Sequence, residues 1–455
     1  MSPVRLRAVC TTALLAVILP VLAACGGPSE TANPTAAATA AATASPQATA
    51  APPQATTAPP QATAAPPQAT AAPDTGSVSG TDLEPGFPMR FKNTQFGIVN
   101  HLYYTDRERV LTLNSIAGFE WVRQQVVWKD IEGPNPGDYA WGELDLIIAD
   151  VTRKNQKLLV SIVRSPAFYE PTGGMPSDPV TMGNFVEAMA TRYGDQIAAY
   201  EIWNEPNLQQ ENGGRVVPED AGTYVELLVE SYKRIKTVSP GAFVIAAPAS
   251  STGVNEPSAA VSDEIWYRTM YTYKDGIVKD YFDAQGVHPG GAANPPDTLY
   301  PENPSVIAGC VYSSPTKCWN DEPTHYFRHL ENVRRFMVEE GVGDHQMWIT
   351  EYGWSTPNNT PGYEFGNYVD EQQQADYIIG AMRRAEELYR DEATGKPWIG
   401  AMFLWNMNYA VLWQSRGDPM HEQATFGIIN NDYSPRPSFN AIQGYLAQLK
   451  QQRSQ

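Results

Sequence analysis

Basic residues, metal-ligand clusters and long apolar runs are all scarce in this 455-residue chain. It has 32 Lys plus Arg against 50 Asp plus Glu, a formal net charge of −18. Nucleic acid and anionic membrane surfaces are poor partners for such a chain, and a neutral substrate suits it better. Of the four cysteines, Cys310 and Cys318 lie closest together. No third or fourth ligand accompanies them at a usual spacing, so no metal site is expected there, and no organic cofactor is implied. The most apolar stretch, 13–24, is shorter than the roughly 20 residues a spanning helix needs and contains Pro20. A Gly-rich phosphate turn is also missing: Val99-Asn100-His101-Leu102 stands where an open doubly wound sheet would place one.

The stretch 13–24 follows Arg5 and Arg7 and ends at Cys25, which is the layout of a secretory signal. Leu22-Ala23-Ala24-Cys25-Gly26 resembles the bacterial lipobox, in which the cysteine is acylated and opens the mature protein. The resemblance implies a signal peptide over 1–24, a lipid on Cys25, and an exported protein at the cell surface or facing the periplasm, with that lipid as its only membrane contact. The alternative is an ordinary signal with an incidental cysteine. Residues 25–83 are mostly Ala, Thr, Pro and Gln, with Pro-Pro-Gln-Ala-Thr recurring at 52, 59 and 66, and cannot form a core. Paired prolines rule out a coiled coil, and the segment reads as a disordered tether. Its reach is about 45 Å as a coil or up to ~180 Å as polyproline II. With Cys10 removed and Cys25 acylated, Cys310 and Cys318 are left to form one small disulfide in an oxidising compartment.

Residues 84–455 alternate short β-type runs with amphipathic helical patterns. The spacing predicts strands at 96–99, 121–124, 158–163, 198–203, 243–247, 282–287, 347–350 and 399–404. Helices are predicted over 106–116, 141–154, 180–193, 219–238, 263–273, 325–340, 371–392 and 438–450. Eight such pairs make an α/β fold, a closed (β/α)8 TIM barrel forming one catalytic domain. The strand-to-helix connections 205–218, 248–262, 288–323, 351–370 and 405–437 are long, whereas helix-to-strand returns such as 238–241 are short. In this fold the long set lies on the catalytic face.

Two of those connections open on a glutamate: Ile202-Trp203-Asn204-Glu205-Pro206-Asn207 ends strand four, and Trp348-Ile349-Thr350-Glu351-Tyr352-Gly353-Trp354 ends strand seven. Hydrolysis of an acetal needs a proton donor for the leaving oxygen and a carboxylate for the developing oxocarbenium ion, and two glutamates supply both. A lone strand-end glutamate is as often half of a structural ion pair. Eleven tryptophans and 23 tyrosines offer flat surfaces for sugar rings, although any one of them can equally be core or rim packing.

Trp203-Asn204-Glu205-Pro206 and Thr350-Glu351-Tyr352-Gly353 resemble the acid/base and nucleophile motifs of the clan of retaining barrel glycosidases (clan A), nearest in feel to glycoside hydrolase families 5 and 39. The resemblance implies Glu205 as acid/base and Glu351 as nucleophile, with Asn204 bonding the sugar 2-hydroxyl. Arg123, taken to end strand two, would hold the nucleophile ionised; the alternative is a salt bridge in the barrel rim. His288, ending strand six, matches a histidine near the nucleophile or substrate hydroxyls. Many relatives have a tyrosine two positions later, where this chain has Gly290. Trp405, ending strand eight, matches an aromatic floor under the sugar. His101 stands open between binding substrate hydroxyls and being a satisfied rim histidine.

The implied activity is cleavage of β-glycosidic bonds in extracellular oligo- or polysaccharides, with two carboxyls about 5 to 5.5 Å apart. Arg123 should lower the pKa of Glu351, while burial and nearby negative charge should raise that of Glu205, giving a bell-shaped pH profile. The chain is expected to work as a monomer on a carbohydrate substrate. Two other functions remain: an inactive carbohydrate-binding or sensing lipoprotein, which would bind sugar without releasing reducing ends, and a transglycosylase using the same site, which product masses would reveal.

Overall fold

The computed structural model describes residues 78–301, 319 and 322–454. The proposed signal, Cys25, nearly all of the tether, and Cys310 and Cys318 with their disulfide lie outside those residues. None of the described helices is long and apolar enough to cross a membrane.

A two-stranded antiparallel hairpin, β1 (Leu83–Glu84) and β2 (Arg90–Phe91), precedes the barrel. Then come β3 (Gln95–Val99), α1 (Arg107–Ala117), β4 (Trp121–Val127), α2 (Trp128–Ile131), α3 (Gly142–Arg153), β5 (Lys157–Val163) and α4 (Pro179–Tyr193). The chain continues through β6 (Ala199–Ile202), α5 (Asp220–Val238), β7 (Phe243–Ala246), α6 (Asp263–Thr272), β8 (Ala284–Val287) and α7 (Leu330–Glu339). It closes with β9 (Gln346–Tyr352), α8 (Glu371–Arg383), β10 (Ile399–Leu404), α9 (Tyr409–Ser415), α10 (Glu422–Thr425) and α11 (Pro437–Arg453). Strands β3 to β10 form a closed parallel barrel in chain order, with β10 returning to pair with β3. The chain thus has the expected (β/α)8 architecture.

Local chemistry sets the helix ends. Asp178 caps α4 by accepting from Val180 N (3.0 Å), with Pro179 in the first turn. Asp370 and Gln373 form a reciprocal capping box at α8. Leu144, Ile147, Ile148 and Val151 make a buried stripe at helical spacing that seats α3 on the barrel. Two helices differ from expectation. Tyr326 is extended, so the chain reaches α7 through two short 3-10 turns, and α8 ends in a π turn over Arg384–Leu388.

The second barrel strand runs three residues further than its apolar pattern suggested, because Gln124 and Gln125 pair in the ladder like their neighbours. Arg123 is therefore inside β4, not at its end.

The amino-terminal hairpin seals the end of the barrel opposite the strand-to-helix loops. Phe91 is fully buried, with its ring centroid 4.9 Å from that of Phe243, 5.7 Å from Trp348 and 6.0 Å from Trp121. Gln346 binds it in strand fashion, accepting from Phe91 N (2.8 Å) and donating to Phe91 O (2.9 Å). Next to this aromatic layer Gly97 is required, since a Cβ there would lie 2.6 Å from the Phe403 ring and 2.7 Å from Trp121 Cβ.

Candidate active site

At the other end of the barrel a buried cation organises the mouth. Arg123 Nη1 donates to Glu351 Oε1 (2.6 Å), and Nη2 to Glu201 Oε1 (2.5 Å), Asn204 Oδ1 (2.8 Å) and Ser161 Oγ (3.1 Å). Ser161 Oγ in turn donates to Glu201 Oε1 (2.7 Å). Arg123, Ser161, Glu201 and Asn204 are inaccessible to solvent. A buried guanidinium is tolerated only where carboxylates and further acceptors satisfy it, and here two carboxylates share one cation.

Strand β6 ends in a contorted turn. Trp203 and Glu205 both have positive φ, 73° and 45°, a conformation costly for side chains of this size. Backbone bonds on both sides hold it: Trp203 N donates to Ile162 O in β5 (3.0 Å) and Glu205 N to Pro248 O just after β7 (3.0 Å). The turn directs Asn204 onto Arg123 and Glu205 onto His288.

His288 Nδ1 lies 3.0 Å from Glu205 Oε1, while Nε2 lies 3.0 Å from Thr350 Oγ1 and 4.0 Å from Glu351 Oε1. The two glutamates therefore flank one imidazole at the same mouth. Burial, and then the charge of Arg123, hold the His288 pKa well below its usual value, so the ring is neutral. Burial raises the Glu205 pKa well above the carboxylate range, and the charges of Glu351 and Glu211 add to it. Ser250 and Arg123 pull weakly the other way. This is the direction expected of Glu205 from its sequence setting.

Buried side-chain atoms without a partner at this end of the barrel include Glu205 Oε2, Asn204 Nδ2, Glu201 Oε2 and Glu211 Oε2. Unsatisfied polar atoms are expensive in a protein interior, and a ligand in the mouth would supply bonds to those of Glu205 and Asn204.

The remaining expected residues also collect here. Trp405 is buried, its ring 4.7 Å from that of Tyr409, and a cis peptide joins it to Asn406. His101 is fixed through its backbone, with N donating to Asn408 Oδ1 (2.9 Å) and O accepting from Asn408 Nδ2 (2.8 Å). Burial and Arg416 bring its pKa down to about 4. At Gly290 the absence of a side chain is enforced, because a Cβ would overlap the Thr324 carbonyl oxygen. The 3-10 turn Pro323–His325 fills the space a side chain at 290 would need.

Arg123 is fully buried and donates to Glu351 and Asn204, so it orients other side chains without reaching a sugar. Ser161, Glu201, Arg164 and Glu211 went unnoticed in the sequence. A charged residue inside Ala199–Ile202, whose other side chains are apolar, was the available signal for Glu201.

No family model matches the chain, and no curated protein does. Among solved structures the chain is similar to a family 39 glycoside hydrolase from Bacteroides cellulosilyticus WH2, with a TM-score of 0.53 and 19% identity over 79% of this chain and 64% of that one. It is also similar to GH5_18 from Streptomyces cattleya, in complex with GlcNAc (TM-score 0.54, 12% identity, 79% and 81% covered). A third is a glucosidase from Croceicoccus marinus (TM-score 0.52, 13% identity, 80% and 69% covered). The chain spans somewhat less than two thirds of the family 39 protein. These likenesses establish a common barrel fold.

Proposed function

We propose that the chain is a retaining β-glycoside hydrolase that cleaves oligo- or polysaccharides by double displacement, with Glu351 as nucleophile and Glu205 as acid/base. The observation that carries this reading is the unequal setting of two carboxyls around one neutral imidazole. Glu351 accepts from the Arg123 guanidinium at 2.6 Å, while Glu205 is buried beside His288 with its pKa raised. Opposed environments of this kind separate an acid from a nucleophile. The glycoside hydrolases among the solved structures of like fold agree with it.

His288 fixes the position of the catalytic proton. A neutral ring carries one N–H. With Nδ1–H donating to Glu205 Oε1 and Nε2 accepting from the Thr350 hydroxyl, the proton of Glu205 belongs on Oε2, the oxygen that His288 does not engage. In the first step a carboxylate oxygen of Glu351 bonds to the anomeric carbon. The bond to the leaving oxygen breaks, and the Oε2 proton passes to that oxygen. Esterification neutralises Glu351 and removes one of the charges that held the proton on Glu205. Glu205 then takes a proton from water as the water oxygen attacks the anomeric carbon, the bond from that carbon to Glu351 breaks to release its carboxylate, and the second inversion restores the configuration. Asn204 Nδ2 has a donor to offer the 2-hydroxyl, and Trp405 supplies an apolar floor.

Export and anchoring through Cys25, a Cys310–Cys318 disulfide and a monomeric state complete the proposal. Incubation with 2-deoxy-2-fluoro aryl β-glycosides, followed by peptide mass analysis, tests its centre. A glycosyl adduct on Glu351 is expected, together with rescue of Glu205→Ala by azide on a dinitrophenyl glycoside. Near wild-type turnover of such a glycoside by Glu351→Ala would refute it.

A further inference from the structure

The loop after Glu205 brings a third carboxyl back to the site. Leu208 N donates to Glu205 O (3.0 Å), Glu211 N to Leu208 O (3.1 Å) and Trp203 Nε1 to Glu211 O (3.2 Å). Two tight turns and an indole thus pin Glu211 against the strand end. Its side chain is 1% exposed. Oε1 accepts from Arg164 Nη2 (3.0 Å), and Oε2 is buried without a partner. Arg164 leaves β5 with a φ of 64° and also donates from Nη1 to Gln210 O (2.5 Å).

The charged groups that face Glu211 are Arg164 at the end of β5 and Glu351 on β9. Those that face Glu205 are Glu351, Glu211 and, from β4, Arg123, with His288 from β8 and the Ser250 hydroxyl after β7. Nothing in the two-step chemistry requires Glu211.

We infer that Glu211 is a positioning residue whose charge keeps the proton on Glu205 at neutral to alkaline pH. The inference rests on the glycosidase reading above. Burial brings the Glu211 pKa up to about 7 against the opposing pull of Arg164, with Glu351 adding to the rise. Above that pH Glu211 is ionised. Its repulsion then favours protonated Glu205. Below that pH Glu211 is neutral and has no such effect. The three carboxyls titrate as a coupled set, and Glu211 extends the alkaline limb of the first step without touching the sugar.

The test compares the full-length wild type with Glu211→Gln, Glu211→Asp and Glu205→Ala on 4-nitrophenyl β-glycosides of glucose, xylose, mannose and galactose. Glu211→Gln preserves a side-chain oxygen for Arg164 while removing the charge. Its alkaline limb of kcat/KM should move down by about one pH unit, a loss of ~10-fold at a pH beyond that limb, with the acid limb unmoved. Glu211→Asp should recover most of the shift. A parallel titration of the 13C-labelled glutamate carboxyl assigned to Glu205 needs no turnover, and its midpoint should fall in Glu211→Gln by the same amount. An unmoved limb and an unmoved midpoint would overturn the inference, as would a uniform loss of rate at every pH, which is what a loop clamp would give. Failure of the glycosidase reading would look different: the wild type would release no 4-nitrophenol from any of the four glycosides, or Glu205→Ala would match the wild type on all of them.

Discussion

Replacing Glu205 by glutamine should make the protein more stable at neutral pH and leave it little changed in acid. The raised pKa of Glu205 in the folded protein arises from burial and from the charges of Glu351 and Glu211. Between the ordinary carboxylate value of 4.5 and the higher folded value, the native state holds a proton that the unfolded chain has released. Stability therefore falls as pH rises through this window, by up to ~1.4 kcal/mol per pH unit for one proton. Glutamine has the same shape, can accept from His288 Nδ1–H through its amide oxygen, and cannot ionise. Urea unfolding in half-unit steps from pH 4.5 to 8 should show the wild-type curve declining more steeply than the variant's, with a difference of about 1.4 kcal/mol per unit until Glu205 ionises. The width of that window then measures the folded pKa directly. Parallel curves, or a variant less stable by one amount at every pH, would refute the argument that Glu205 is held protonated by its surroundings.

Asn204→Ala should lower kcat on a glycoside by roughly 10²-fold and far less on the 2-deoxy sugar, because the lost contact would be to the 2-hydroxyl; equal losses on both would remove Asn204 from that role. Phe91→Ala should cost about 3–5 kcal/mol of stability, measured by urea unfolding, while kcat/KM of the folded fraction stays near wild type, since the ring fills the barrel end opposite the glutamates. Gly290→Ala should destabilise by ~1–3 kcal/mol and bring no gain in rate, because the Thr324 carbonyl occupies the space a side chain needs; a stable or faster variant would contradict the packing described.

Apolar runs bounded by turns carried most of the fold in plain sight. The strand expected at 399–404 matches β10 end to end, since all six of its residues are buried and nothing polar interrupts them. The shortfall at β4 has the opposite cause: Gln124 looks like a strand end, yet its amide oxygen accepts from Leu102 N (2.8 Å) in the loop after β3, a bond that a linear pattern cannot show. The break at Tyr326 was hidden for a similar reason, because the helical pattern runs through it while the chain fits itself around Gly290. Glu205 and Glu351 stood out because both end strands inside aromatic motifs. Glu201 did not, although Ser161 and Glu201 are register partners on adjacent strands. Polar residues within strands otherwise buried on both faces have to meet one another, and that rule would have linked Arg123, Ser161 and Glu201 before any coordinates.

The charge balance at the mouth follows from that buried group. One guanidinium serves Glu201 and Glu351 together, so it is already spent on two anions when Glu205 is considered. Had Arg123 reached Glu205 as well, both glutamates would sit beside a cation and neither would hold a proton near neutrality. The turn with positive φ at Trp203 and Glu205 prevents this, sending adjacent side chains to different partners: Asn204 to the cation and Glu205 to an uncharged imidazole. Backbone strain at two residues is thus what separates the environments of the two carboxyls. A relaxed turn in which Glu205 approached Arg123 would lower its pKa and leave the site with two bases and no acid.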